Sequence, residues 1–218
     1  MVLDPKKPGP IPKEALEFFK AKGLKPAFSY RDVWAQEHRR AFTVAKILEA
    51  DLLKDVQDSL SDALEAGTPF KAWAGKIKDT FDASGWSQYG TEAQEPQRLR
   101  TIYDTNLRMA RAEGQWERAE RTKDALPYFE FNLGPSVKHR PEHEELEGLV
   151  LRVDDPWWEK NSPPLDYGCK CFLIQLSAGA AESLGIDDAP NEDYSANGFG
   201  YAKGGRDDGL DSALEDVE

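Results

Sequence analysis

Apolar residues in the first half of the chain recur at alternating spacings of three and four, which is typical of amphipathic helices. A first helix is predicted over residues 13–22, with Pro12 at its start and Gly23 as its stop. A second begins after the N-cap Ser29, and its apolar stripe comprises Trp34, His38, Ala41, Ala45 and Leu48. His38 lies inside this stripe, so we interpret it as a hydrogen-bonded core residue rather than a ligand or base.

The same periodicity predicts two more helices connected by short links. The first contains Leu52, Leu53, Val56, Leu60, Ala63 and Leu64 and ends at Gly67. The second restarts at Thr68–Pro69 and contains Phe70, Trp73, Ile77 and Phe81. Short links between consecutive helices favour antiparallel packing.

A long helix is predicted from Pro96 to Gly114, or onward to Lys123. Its apolar face comprises Leu99, Ile102, Tyr103, Met109 and Ala110, and its opposite face comprises Arg100, Arg108, Arg111, Arg118 and Arg121. Such an arginine stripe can contact the phosphates of DNA, or it can be solvated and paired with carboxylates. Both interpretations stay open.

From Pro127 onward the pattern changes to the alternation that is typical of strands. The runs YFEFN, GLVLRV and CKCFLIQL are separated by Gly, Pro and Asp, and a short helix is predicted over residues 141–147. The predicted fold class is therefore α+β, with a mostly helical N-terminal body and a small antiparallel β-rich C-terminal module. The predicted domains are the helical residues 13–125 and the β-rich residues 126–177.

Both ends of the chain lack the apolar residues that a core requires. Residues 1–12 contain four prolines, which favours an extended arm. Residues 178–218 are predicted to form a flexible acidic tail, with eleven Asp and Glu against Lys203 and Arg206. This balance of −9 leaves only −3 of the net charge of −12 on the rest of the chain, so repulsion of nucleic acid would come mostly from the tail.

The stretch from His139 to Cys171 contains two of the three histidines and both cysteines. In an extended segment Cys169 and Cys171 point to the same face, and His143 with His139 can complete a tetrahedral zinc site from a neighbouring loop. The C-x-C spacing is tighter than usual for zinc, so packed, reduced cysteines beside a strand are favoured over a zinc site. A structural zinc ion held by these residues is the one candidate cofactor that the sequence indicates.

No enzyme and no small-molecule substrate are predicted. His143-Glu144 begins like the H-E-x-x-H motif of zinc proteases, but position 147 is Glu, and the chain has no Gly-rich phosphate loop and no G-x-S-x-G motif. A metal-dependent effector enzyme built on His143, Cys169 and Cys171 stays a lesser alternative.

The aromatic pair Trp157 and Trp158 can anchor its loop either on the chain's own core or on a partner. No run is apolar enough to cross a membrane, and the N-terminus lacks the apolar segment of a signal peptide, so we expect a cytoplasmic protein without membrane contact.

Several unrelated motifs together resemble one family. The runs PYFEFN, KHRPEHEELEG, DDPWWEKNSPP and YGCKCFL, in that order, are similar to the C-terminal module of the phage Mu F-like minor head proteins. The resemblance extends upstream through residues 12–23, 29–46 and 98–116, so it covers about residues 12–177. The matching positions are Arg140, Pro141, His143, Gly148, Pro163, Pro164, Gly168, Cys169 and Cys171, and Lys170 stands where the family often has Arg.

The resemblance implies a minor head protein that acts in head morphogenesis of a tailed phage or prophage, without enzymatic activity. Its expected partners are the portal protein and other head components, with packaged DNA as the alternative. Its expected location is the host cytoplasm during assembly and then the virion head. The arm or the Trp157–Trp158 loop is the expected contact with the portal.

Overall fold

The computed structural model describes residues 11–29, 33, 40–84, 95–196, 198–200 and 203. The chain divides into two compact units, Met1–Gly114 and Gln115–Glu218, which we call unit 1 and unit 2. Each unit has its own hydrophobic core. Helices dominate unit 1 and a three-stranded antiparallel sheet lies in unit 2, which confirms the α+β fold class. The described helices all lack the combination of length and apolar character that crossing a bilayer requires.

The helices of unit 1 bury the apolar stripes that the periodicity predicts. They are α1 (Lys13–Lys20), α2 (Ala50–Ala66), α3 (Phe70–Ser84) and the first part of α4 (Glu95–Thr122), which extends into unit 2. α2 ends at Gly67, whose φ of 63° is the left-handed conformation that favours glycine. The core residues from these helices include Phe19, Leu53, Leu60, Trp73, Phe81 and Tyr103.

The predicted helix over residues 29–48 is wrong for the described residues 40–48. Ala41–Phe42 instead forms β2, which pairs in parallel with β1 (Gly23–Leu24). The backbone of Lys46 is left-handed (φ 67°) and donates to the carbonyl of Ala27 at 3.0 Å. Pairing with β1 thus satisfies backbone groups that a helix would have satisfied internally.

The side chains explain why the helical spacing is misleading here. Phe42 is fully buried and packs edge-to-face on Phe19, with ring centroids 5.6 Å apart. Leu48, which the helical pattern assigns to the apolar stripe, is 60% exposed. The predicted stripe residues Trp34 and His38 lie outside the described residues.

The sheet of unit 2 has the strand order β4-β3-β5, and both pairings are antiparallel. The strands are β3 (Tyr128–Asn132), β4 (Val150–Arg152) and β5 (Phe172–Leu176), as the alternation predicts. Phe129 and Phe131 point to the buried face of β3, and both are fully buried. α5 (Pro141–Glu144) lies on the connection between β3 and β4, where a short helix is predicted, and α6 (Trp158–Asn161) follows β4.

Three aromatic side chains form the centre of the unit 2 core. Trp116 packs edge-to-face on Phe129 and on Trp158, with centroid distances of 4.8 and 6.4 Å. The indole of Trp116 donates to the hydroxyl of Ser162 at 2.6 Å, and that of Trp158 donates to the carbonyl of Arg152 at 2.9 Å. Both of these indole N–H groups therefore have an acceptor, so burial of the two rings leaves neither donor unsatisfied.

Residues 178–196 differ from the expectation of a flexible tail that begins at residue 178. They include α7 (Ala178–Leu184), and Asp187 exchanges two hydrogen bonds with the backbone of Val150, at 2.9 and 3.0 Å. Ala196 donates to the carbonyl of Leu165 at 2.8 Å. This segment has too few apolar residues to build a core, but it adds to one that already exists. Residues 204–218 of the predicted tail lie outside the described residues.

The antiparallel register of β3 and β5 continues beyond the paired strands. Asn132 lies opposite Phe172, so two residues further along Gly134 comes against Lys170. A Cβ atom on Gly134 would lie only 1.9 Å from the carbonyl oxygen of Lys170. Glycine is therefore required at position 134 because the two backbones approach too closely for any side chain.

We expect Gly134→Ala to destabilise unit 2 by roughly 1–3 kcal/mol or more, because the new methyl group must displace backbone atoms rather than a side chain. Gly179→Ala is the matched control, since a Cβ atom there meets nothing within 4 Å. Residue 179 lies in α7, so this change should be neutral or stabilise by about 0.5–1 kcal/mol. Urea denaturation of both variants measures the difference, and equal midpoints would contradict the close approach.

Candidate metal centre

Three side chains of unit 2 form a compact cluster of metal-ligand types. The Nδ1 atom of His143 lies 3.8 Å from the sulfur of Cys169 and 3.8 Å from that of Cys171. The three ligand atoms all lie within 4.8 Å of one another. His143 and Cys169 are 3% exposed, and Cys171 is half-buried. The structure therefore brings together three of the four residues predicted as metal ligands, although 26 positions separate His143 from Cys169.

His143 is positioned by the short helix α5. Pro141 occupies the first helical position, where its missing N–H costs nothing, and the backbone of Arg140 before it is extended. The backbone N–H of His143 donates to the carbonyl of Arg140 at 2.9 Å. Two acidic residues in the first turn, Glu142 and Glu144, complement the helix dipole.

The cysteines are positioned by a turn that leads into β5. Gly168 has a φ of 72°, and the N–H of Cys169 donates to the carbonyl of Asp166 at 3.1 Å. Cys169 and Cys171 form no disulfide bond. The turn therefore brings Cys169 and Cys171 to the same side as His143 without linking them to each other.

A salt bridge ties the histidine-bearing connection to the cysteine-bearing turn. The guanidinium of Arg140 lies 2.8 Å from a carboxylate oxygen of Asp166 and donates to the carbonyl of Tyr167 at 3.0 Å. The partners are 39% and 27% exposed, so the charge pair alone contributes little stability. Its effect is geometric, because it helps to hold the two loops at a fixed distance, together with the hydrogen bond from Lys170 to the carbonyl of Pro135.

The two thiols lie in contact, and Cys169 is the more acidic of the two. Its hydrogen bond with Cys171, together with one from His143, lowers the pKa of Cys169 to about 4, against the opposing effect of burial. Backbone N–H groups of Leu165 and Cys171 act in the same direction. The same contact raises the pKa of Cys171, because burial and the neighbouring negative charge oppose a second ionisation.

His139 does not join the cluster in the described geometry. It lines the same cavity, of about 440 Å³, whose wall also contains His143 and both cysteines. Its Nε2 atom lies 2.8 Å from the carbonyl oxygen of Gly134, which can only accept, so Nε2 carries a proton and donates it. Within the described part of the chain, the group of clustered ligands contains His143, Cys169 and Cys171 alone.

Cys169 is poorly placed to act as a nucleophile. Its sulfur lies beside an imidazole, as in cysteine hydrolases, but the residue is only 3% exposed and a second thiol occupies the adjacent position. Two thiols and an imidazole at these distances can instead hold a soft metal ion.

The predicted arginine stripe is not a uniform exposed surface. Arg100 and Arg108 both lie within 4 Å of the carboxylate of Asp104, at 3.9 and 3.7 Å, and Arg121 lies 3.1 Å from Glu117. Arg111 is half-buried, and burial lowers its pKa. Arg118, the fifth member, is also half-buried. Ion pairing within the helix, one of the two interpretations of the sequence, describes Arg100, Arg108 and Arg121.

The two adjacent tryptophans have different environments. Trp158 is 1% exposed in the unit 2 core, so the prediction that it contacts a partner is corrected. Trp157 is half-buried between Trp158 and Tyr194, with centroid distances of 5.1 and 5.9 Å. Its indole N–H is buried and has no acceptor in the part of the chain that the structure describes.

The sequence did not indicate two residues that organise the metal-ligand cluster, Asp166 and Gly134. Neither belongs to a ligand motif.

Comparisons with known proteins agree with the motifs around this cluster. Residues 54–174 match the family described as "Phage Mu protein F like protein". The chain is 31% identical over 186 residues, 80% of its length, to "Putative capsid assembly protein F" of Escherichia phage Mu. It is 33% identical over 156 residues, 68% of its length, to the Mu-like prophage FluMu F protein of Haemophilus influenzae.

The alignments cover 42% and 38% of these two relatives, so the chain spans about two fifths of their length. No solved structure matches the chain significantly. The family match covers more than half of the chain and includes all three clustered ligands. The chain therefore belongs to the family of phage Mu protein F-like proteins.

Proposed function

We propose that this chain acts in head assembly of a Mu-like phage or prophage, as a minor head component that binds the portal protein. The observation that carries the proposal is membership of the Mu F-like family, with a relative named as a capsid assembly protein. The chain would act in the host cytoplasm during assembly and then remain in the virion head. Other head components are its further expected partners.

The chemistry of unit 2 supports a structural rather than a catalytic role. The sulfur of Cys169 is buried, and the cavity beside it is lined by Lys138, Arg140 and Lys170 as well as by His139 and His143. Arg140 is already paired with Asp166, and Lys170 donates to the carbonyl of Pro135 at 3.2 Å. The groups around the cluster thus hold loops together.

Trp157 is the side chain of the described structure that best suits a partner contact. It lies at the edge of the unit 2 core, half-buried, and its indole N–H lacks an acceptor among the described residues. A buried hydrogen-bond donor without an acceptor calls for an explanation. One explanation is that a binding partner supplies the acceptor. Tryptophan is also the residue most enriched among energetically dominant interface positions.

DNA contact through the arginines is the second candidate, and the ion pairs disfavour it. Arg100 lies over the ring of Phe70, 3.8 Å from its centroid, while its charge faces Asp104. A phosphate would have to displace both the carboxylate and the ring contact. Each phosphate contact adds to the affinity for DNA when a cation is available to make it. An arginine that is already paired with a carboxylate therefore adds less affinity.

We expect the chain to co-purify with the portal protein of its own phage when the two are co-expressed, and Trp157→Ala to reduce that retention about tenfold or more. Phe172→Ala is the matched control, because Phe172 is an aromatic residue of unit 2 that is 42% exposed on β5. It should leave retention unchanged. Deleting residues 1–12 tests the arm separately, and unchanged retention after both the deletion and Trp157→Ala would overturn the proposed contacts.

We expect only weak DNA binding, with no change when Arg100 and Arg108 are both replaced by Gln. The measurement is the affinity for duplex DNA at about 50 and 200 mM salt, for a chain that ends after residue 203 to remove the acidic residues beyond it. A steep loss with salt that the double substitution reduces would favour the DNA-binding alternative.

A further inference from the structure

We propose that His143, Cys169 and Cys171 bind a zinc ion that joins the β3–β4 connection to the turn before β5. This zinc site is a separate inference from the proposed function in head assembly, and it does not depend on that function. It rests on the distances, the burial and the hydrogen bonds of these three residues and their neighbours.

The distances between the ligand atoms suit a tetrahedral ion. Zinc–sulfur bonds of about 2.3 Å and zinc–nitrogen bonds of about 2.0 Å, at tetrahedral angles, place sulfur and nitrogen about 3.5 Å apart. The observed separation from His143 Nδ1 is 3.8 Å for each sulfur. An ion can therefore enter between the nitrogen and either sulfur with shifts of a few tenths of an ångström.

The donor set selects the metal. Two sulfurs and an imidazole are soft or borderline ligands, which favour zinc over magnesium or calcium, whose ligands are oxygens. Zinc coordination explains why three polarisable groups converge in a site where His143 and Cys169 are 3% exposed.

The surroundings resemble the outer shell of a thiolate metal site. Backbone N–H groups of Leu165 and Cys171 are directed at the sulfur of Cys169, and that of Gly134 is directed at the sulfur of Cys171. Such donors stabilise metal-bound sulfur and fix its direction. Gly134 can approach only because it has no side chain, so the same residue serves the fold and the sulfur.

The fourth position of the tetrahedron is assigned to the cavity of about 440 Å³, which all three ligands line. His139 lies on the same wall, and its proton on Nε2 leaves Nδ1 able to coordinate. Either His139 or a water molecule completes the coordination. Both arrangements retain the same three ligands, and the experiment below distinguishes them.

The test measures zinc in the full chain, purified without an affinity tag from zinc-containing medium. We expect about one zinc per chain in the unchanged protein and less than about a tenth of that in Cys171→Ala and His143→Ala. Cys171→Asp, which restores a zinc-binding oxygen, should retain part of the metal. Absence of zinc from the unchanged protein, or full retention in His143→Ala, would overturn the proposal, as would an oxidised Cys169–Cys171 pair found by mass spectrometry.

A second measurement guards against variants that fail to fold. Cobalt added to the zinc-free, unchanged chain should produce thiolate-to-cobalt absorption with an intensity typical of tetrahedral sites. His139→Ala should keep this absorption, with a shifted spectrum if His139 is the fourth ligand and the same spectrum if water is. A cobalt spectrum without thiolate bands would contradict ligation by the cysteines.

Metal removal should also act on one unit alone. At free zinc about 100-fold above its dissociation constant, binding raises the ratio of folded to unfolded unit 2 about 100-fold. Chelation should therefore accelerate hydrogen exchange in β3 and β5 and leave α2 and α3 unchanged. Equal exchange with and without chelator would overturn the role of the ion as a link between the two loops.

Discussion

The antiparallel register between β3 and β5 is the constraint on which the rest of unit 2 depends. It places Asn132 opposite Phe172, so the residues that follow β3 lie against those that precede β5. Because β3 is the central strand, its other edge pairs with β4, and the connection to β4 starts from the same end. The histidine of that connection and the two cysteines before β5 consequently meet at one end of one strand.

The aromatic core makes this register the favoured one. Phe129 and Phe131 point inward from β3, and Trp116 and Trp158 pack against Phe129. Slipping β5 by one residue would turn Leu173 away from the core and expose it. The same shift would move Lys170 away from Gly134. Packing of the core and assembly of the cluster are therefore consequences of one pairing.

The two units differ in how their stability arises. Unit 1 buries the apolar faces of long helices, and the spacing of apolar residues in the sequence predicts which face of each helix lies in the core. Unit 2 has strands of three and five residues, and short strands are marginal without further support. Hydrogen bonds from Asp187, Asn161 and the indoles, and the packing of residues 178–196, supply that support. A structural ion would add to it at the end of the sheet.

The sequence by itself determined the α2, α3 and α4 helices, the three strands of unit 2 and the identity of the clustered residues. Each of these features is local in sequence. Helices show apolar residues at spacings of three or four, strands show alternating apolar and polar residues, and possible metal ligands are recognised by residue type. Only the tertiary structure decided the strand β2 in place of a helix, the burial of Trp158 and the position of His139 outside the cluster. These depend on partners distant in sequence: β1 for Ala41–Phe42, Trp116 for Trp158, and Gly134 for both His139 and the turn that carries the cysteines.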